Sequence, residues 1–203
     1  MMTDNELPLF PLDMVLLPAR KVPLHIFEDR YQQMIRECLE QKSEFGLLWG
    51  TDEQFSDVGC VAKVTKLVTE FPDGRMNIMI EGTSRFRLIN RQDIHAYISG
   101  VVEKIEDDIE PYDIELGNHL KTLYSKTLKL TIGWTTPPPP TEDLSLISYI
   151  VASNLSLPLD QQQNLLEDRS VNSRLKIVSD ILESALSHLK EIKRRTRGNG
   201  HLA

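Results

Sequence analysis

The sequence has 203 residues, with 23 Lys and Arg against 30 Asp and Glu, a net charge of −7. At 40% hydrophobic and 26% charged it reads as a folded globular chain, long enough to bury a core without disulfides or a metal, and not as a disordered or fibrous one. No apolar run reaches the ~18 residues of a membrane helix, the acidic start Thr3-Asp4-Asn5-Glu6 lacks the basic region of a secretory signal, and two cysteines, Cys38 and Cys60, fit reduced thiols in a cytoplasmic protein.

The chain opens with Leu7-Pro8-Leu9-Phe10-Pro11-Leu12, whose prolines exclude helix and suit an edge strand or an extended entry. Pro18 and Pro23 shape its continuation. Next, Tyr31, Met34, Ile35, Cys38 and Leu39 fall at i, i+3, i+4, i+7 and i+8, the stripe of an amphipathic helix. Glu28 and Asp29 stand near its N-terminus, where carboxylates complement the dipole, and Cys38 reads as a core thiol. Residues 58–71 and 75–81 are strands rich in Val, Ile, Thr and Met, joined by the turn Pro72-Asp73-Gly74. Met76, Ile78 and Ile80 share one face of the second strand. After a break at Gly82-Thr83-Ser84, Phe86 and Leu88 alternate with Arg85 and Arg87 on a further strand, and residues 97–105 read as another. Gly46, Gly59, Gly74 and Gly82 are read as turn formers, and Phe10, Ile26 and Phe86 as core. Short strands joined by tight turns imply a small barrel or sandwich.

Glu103, Glu106, Asp107, Asp108, Glu110, Asp113 and Glu115 then form an acidic stretch, read as a solvated strand-to-helix connection. From Pro111 the period becomes helical. Leu116, Leu120, Leu123, Tyr124 and Leu128 predict a helix ending before Gly133, and prolines 137–140 a stiff spacer. Thr141 is the expected cap of a helix facing Leu144, Ile147, Ile150, Val151 and Leu155 inward. Asp160 and Gln163 have capping-box spacing ahead of Leu165 and Leu166, and Ser170 is the expected cap of the last helix. There Val171, Leu175, Val178, Leu182, Ala185, Leu189 and Ile192 step by four and three, a seam able to join two chains in a homodimer. Ile177, Ile181 and Leu186 widen it, which favours packing within the chain. The basic tail of Lys190, Lys193, Arg194, Arg195 and Arg197 suits a helix C-terminus and solubility. The expected fold class is α+β: a β-rich lobe over residues 1–110 with one inserted helix, then a helical lobe over residues 111–203.

Motifs that carry chemistry are missing from this sequence. It has no phosphate loop, no glycine-rich dinucleotide fingerprint and no Gly-x-Ser-x-Gly elbow. His25, His95, His119, His188 and His201 lack the i,i+4 pairing of a helical zinc site, and Cys38 and Cys60 flank no Cys-x-x-Cys. No catalytic, cofactor or metal set is assigned, and the chain is expected to be no enzyme. The acidic total argues against nucleic acid as the main partner.

One resemblance organises the remaining residues. Leu7 to Leu12, then Val15-Leu16-Leu17-Pro18, the run from Val22 to Glu28, and Arg30-Tyr31 resemble the start of the N-terminal domain of Lon proteases. Phe45-Gly46, Val58-Gly59, Asp73-Gly74-Arg75, Asn77-Ile78, Gly82 and Arg85-Phe86 continue the order. Leu157-Pro158-Leu159, Gln163, Leu165-Leu166-Glu167 and Arg174-Leu175 resemble the helical part of the same domain, which also occurs in the ubiquitin-ligase substrate receptor cereblon. Taken together, these residues resemble most closely the stand-alone bacterial proteins that consist of this domain. The resemblance implies a PUA-like β-pseudobarrel followed by a helical bundle, and recognition of unfolded or client polypeptides in connection with a protease system. Full-length Lon adds ATPase and peptidase modules, and this sequence ends before either would begin, so neither activity is carried over. Two departures stand out: Ala19 where the family usually has Gly, harmless only if φ there is negative, and Asp29 where it often has Pro. RNA binding through the PUA-like lobe and the basic tail is the alternative function, and a hydrolase with a dispersed site a third.

Most of the motif residues are explained by structure, which leaves charged neighbours as candidates for partner binding: Glu28, Asp29 and Arg30 at the first turn of the helix, Arg20 and Lys21 in the preceding loop, and Arg75 at the hairpin tip. His25 reads as packed or hydrogen-bonded.

Overall fold

A computed structural model describes residues 6–93, 96–133 and 141–198, the side chains of 190 and 192–198 excepted. The proline spacer at 137–140, His95, His201 and the side chains of the basic tail lie outside the described residues. The elements are β1 (Glu6–Leu12), β2 (Lys21–Ile26), α1 (Asp29–Gln41), β3 (Phe45–Gly50), β4 (Phe55–Glu70), β5 (Met76–Gln92), β6 (Ser99–Ile105), α2 (Ile114–Thr131), α3 (Leu144–Ser153), α4 (Leu159–Glu167) and α5 (Val171–Gly198). They form two compact units: residues 1–106 with 155–169, and residues 107–154 with 170–203. The fold is the expected α+β one, but α4 belongs with the sheet, where a single cut near residue 110 would have placed it among the later helices.

In the first unit one six-stranded sheet runs β2-β5-β4-β3-β1-β6, and β6 returns to pair with β5, so the sheet closes on itself. Closure removes most free edges. β1 is therefore no edge strand, and its prolines are tolerated because its two neighbours share it. It pairs with β6 over Glu6–Pro8 and with β3 over Leu9–Leu12. The Leu9 amide donates to Ile98 on the β6 side. Backbone groups alternate along a strand, so Pro11 faces that same side beyond the last β6 pair, and Pro8 faces β3 before its pairing begins. Leu9, Leu48, Val61, Phe86 and Ile98 pack as a core cluster inside the unit.

Gly82 to Ser84 is not a break: β5 runs unbroken through it. Gly82 is the point at which the chain entering β2 docks, with Ala19 N–H donating to its carbonyl at 2.8 Å and its own N–H to the Arg20 carbonyl at 3.0 Å. The first half of β5 thus serves β2 and the second half β6, with β4 bulging alongside. Gly46 and Gly59 lie within β3 and β4, not in turns: the Phe86 ring stands where a Gly46 side chain would, and the Leu47 carbonyl, ahead of that ring, where a Gly59 side chain would. Only Gly74, at φ +90°, occupies a turn of the expected kind.

α1 buries Tyr31, Met34, Ile35 and Cys38 as its stripe requires, and burial pushes the Cys38 thiol up. α4 caps the barrel. Leu165 and Leu166 are buried, and Arg85 on β5 donates to the Leu166 and Asp168 carbonyls at 3.0 and 2.7 Å. Gln163 makes no capping box. It donates to the Val58 carbonyl at 3.0 Å, and Pro158 is the N-cap.

In the second unit α2 and α3 cover one face of α5. Val171, Leu175, Val178 and Leu182 are fully buried, so this part of the heptad seam is filled by its own unit, and Leu186, one of the residues that widen it, is buried too. Asp113 and Asp143 cap α2 and α3, with Thr141, two residues back, accepting from the Asp143 amide. Ser170 caps α5 as expected, accepting from the Ser173 amide. The acidic stretch is not merely solvated. Asp107 pairs with the buried Arg174 guanidinium at 2.7 Å, and Glu110 accepts from Ser170 Oγ at 2.8 Å.

Candidate functional site

The alternation of β2 builds the site. Val22, Leu24 and Ile26 turn toward the interior, so His25 and, just past the strand, Phe27 turn outward. Phe27 is 62% exposed, an unusual position for a large apolar ring beside a packed helix start. Its ring stacks near His25, centroids 6.1 Å apart, and His25 meets the edge of Phe71 at 6.2 Å. His25 Nδ1 lies 2.7 Å from Asn77 Oδ1 on β5, so this histidine is hydrogen-bonded, as the sequence reading has it.

Beside this aromatic rim lies a cleft of about 310 Å³ between the end of β1, the end of β2, the start of α1 and the β3–β4 loop. Its apolar wall includes Phe10, Leu12, Leu24 and Phe27, and its polar wall Asp13, Glu28, Arg30 and Asp52. Phe10 packs against Tyr31 with centroids 4.1 Å apart and the rings tilted by 32°. Arg30 is the hub. Its guanidinium contacts Glu28 Oε2 at 2.7 Å and Asp52 Oδ2 at 2.5 Å and lies 4.5 Å over the Tyr31 ring. Burial works against the Arg30 charge, but the hydrogen bonds it donates to Glu28 and Asp52 outweigh it and raise its pKa. The Tyr31 hydroxyl donates to Asp52 at 2.8 Å, and burial followed by that carboxylate raises its pKa. The network fixes the polar wall before any ligand arrives, which lowers the ordering cost of binding.

Of the six charged candidates, Glu28 and Arg30 line this cleft. Asp29 is the exposed first residue of α1. Lys21 starts β2, with its ammonium 3.9 Å from Glu81. Arg75 sits at the hairpin tip, ion-paired to Asp73 at 2.7 Å and over the Phe71 ring at 5.3 Å. Arg20 points elsewhere: it donates to the Val15 carbonyl and to Gln162 on α4, and burial lowers its pKa. The charged residues do not converge on one point, and the aromatic residues that do, Phe27 and Phe71, are not among the six. The period-two pattern through Val22, Leu24 and Ile26 is the signal that marks Phe27 as outward-facing.

Among the described residues no group of three or more His, Cys, Asp or Glu side chains is placed to hold a metal ion. No helix among them is long and apolar enough to cross a membrane.

Residues 6–184 match the family described as the ATP-dependent protease La (LON) substrate-binding domain. The chain is 25% identical over 201 residues to a Lon protease of Halothermothrix orenii, across 91% of this chain and 26% of that protein. To a Lon protease of Brucella melitensis it is 26% identical over 212 residues, across 94% of this chain and 25% of that one. It thus spans about a quarter of the length of these curated relatives. A solved Lon N-terminal domain protein from Xanthomonas campestris is 26% identical with a TM-score of 0.67, covering 85% of this chain and 96% of its own. The N-terminal domain of a Mycobacterium avium complex Lon protease, 18% identical, shares the fold with a TM-score of 0.66, covering 88% of this chain and 98% of its own.

Proposed function

The chain belongs to the Lon protease substrate-binding domain family, and from that membership and the Phe27 cleft we propose that it is a non-enzymatic module that holds polypeptide segments. The observation that carries the reading is an exposed aromatic ring at the lip of a preformed, partly apolar cleft. A concave apolar site with a few fixed polar groups is the usual form of a ligand site, and an exposed ring at its edge is the kind of anchor that dominates recognition energy. In this reading the clients are unfolded or partly folded proteins in the cytoplasm, and the module serves a protease system of the kind its relatives are named for. Nucleic acid is disfavoured at this cleft, since Asp13, Glu28 and Asp52 would face phosphate.

Fluorescence anisotropy with a labelled, permanently unfolded protein, such as a reduced and carboxymethylated one, tests the reading. Micromolar binding is expected, and Phe27→Ala should weaken it by about tenfold, the scale of a moderate anchor residue, without moving the melting temperature, because the ring is exposed. Unchanged affinity in the variant would remove this cleft from the function.

A further inference from the structure

The composition of the cleft is one-sided. Asp13, Glu28 and Asp52 line it against a single guanidinium, Arg30, which leaves two negative charges with His25 taken as neutral. Arg30 is already committed, contacting both Glu28 and Asp52. Asp13 is exposed and accepts only one hydrogen bond among the described residues, from Trp49 Nε1 at 3.2 Å. The aromatic rim is uneven in the same sense. Arg30 covers the Tyr31 ring and Arg75 the Phe71 ring, whereas no cation among the described residues stands over Phe27. A ring with no protein cation over it, at the lip of a cleft whose carboxylates outnumber its guanidinium and whose Asp13 has no ion-pair partner among the described residues, is a place for a ligand cation.

The free edge of β2 is a poor place to add a strand. The Arg20 carbonyl accepts from Gly82 on β5, so alternation turns the backbone groups of Lys21, Pro23 and His25 away from β5. Pro23 has no N–H to offer on that edge, a common protection against strand addition. Recognition here is therefore by side chains.

We propose that the cleft selects segments in which an aromatic or large aliphatic residue is flanked by Lys or Arg, and discriminates against the same segments flanked by Asp or Glu. The apolar residue enters against Phe10, Leu12 and Leu24 while a flanking cation lies over Phe27 and toward Asp13 and Glu28. Selection follows from charge complementarity, which sets preference more than raw affinity. This inference rests on the polypeptide-binding reading and sharpens it.

The test uses the full chain and two fluorescein-labelled peptides, each with a central phenylalanine, one flanked by lysines and the other by glutamates. Anisotropy titrations should show the lysine peptide bound at least about tenfold more tightly, with the gap narrowing as salt screens the charges. Asp13→Lys, a change at an exposed residue, should close most of the gap while leaving the fold intact by circular dichroism. Equal affinity for both peptides, or tighter binding of the glutamate peptide, overturns the charge selection and leaves polypeptide binding standing. Binding of neither peptide nor unfolded protein defeats both.

Discussion

Ala19 has a backbone φ of +63°, in the left-handed region that a side chain with Cβ occupies at a cost of about 1–2 kcal/mol. The family's Gly at this position thus has a physical reason, and the condition under which Ala would be harmless, a negative φ, is not met. The residue is held there because its amide donates to Gly82 and the next amide closes a turn onto Leu17 at 3.1 Å. Ala19→Gly relieves the strain but loosens the unfolded chain by roughly 0.4–1 kcal/mol, so the net gain expected is about 0.5–1 kcal/mol. A higher urea midpoint without a change in slope would show it, and a lower midpoint would mean that the Ala19 methyl makes packing worth more than its strain. The candidate site was only half legible at this scale. Glu28 and Arg30 stand out in sequence as charges at a helix start, but Asp52 reaches Arg30 from the β3–β4 loop, and no local pattern announces a pairing made by folding.

At the scale of elements, periodic interiors are readable, and ends only in part: Ser170 caps α5 and α2 ends before Gly133, as their residues suggest. The stripe of α1 and the buried part of the α5 seam follow the spacing of their apolar residues. Caps went astray where several short polar residues compete: Asp143 took the role expected of Thr141, and Gln163 found a tertiary partner in place of a capping box. A glycine followed by two hydroxyl residues looks like a turn, yet β5 runs on through Gly82, which serves as a docking point for the segment before β2. The start of α5 carries a prediction. Glu110 accepts from Ser170 Oγ at 2.8 Å and from the Asn172 amide at 3.2 Å, and these hydrogen bonds hold its carboxyl below the usual range. A carboxylate with a depressed pKa stabilises the fold above its unfolded value, and that contribution is lost as pH falls through the folded value. Glu110→Gln should therefore melt lower than the wild type at neutral pH, with the two curves converging in acid. Parallel curves across the whole range would show that the charge at this helix start is immaterial.

For the whole molecule, the decisive feature is that each unit is assembled from two stretches of sequence, the barrel from residues 1–106 and 155–169. A reading along the chain sees strands give way to helices near Pro111 and cuts there, because composition changes once and α4 is a helix among helices. Nothing local says that Leu165 and Leu166 belong to the barrel. Burying two leucines contributes roughly 3–6 kcal/mol, and the hydrogen bonds from Arg85 to the Leu166 and Asp168 carbonyls, the second part-buried, and from Gln163 to the Val58 carbonyl add about 1 kcal/mol each. A chain of residues 1–110 should consequently fail to fold, giving poor chemical-shift dispersion and no cooperative melt. Joining residues 6–106 to 155–169 through a flexible Gly/Ser linker long enough to span the gap should restore both. A well-dispersed spectrum from 1–110 alone would show that α4 is an accessory of the barrel. Failure of the joined chain, by contrast, would mean that the barrel also needs residues 107–154 or 170–203 in order to fold.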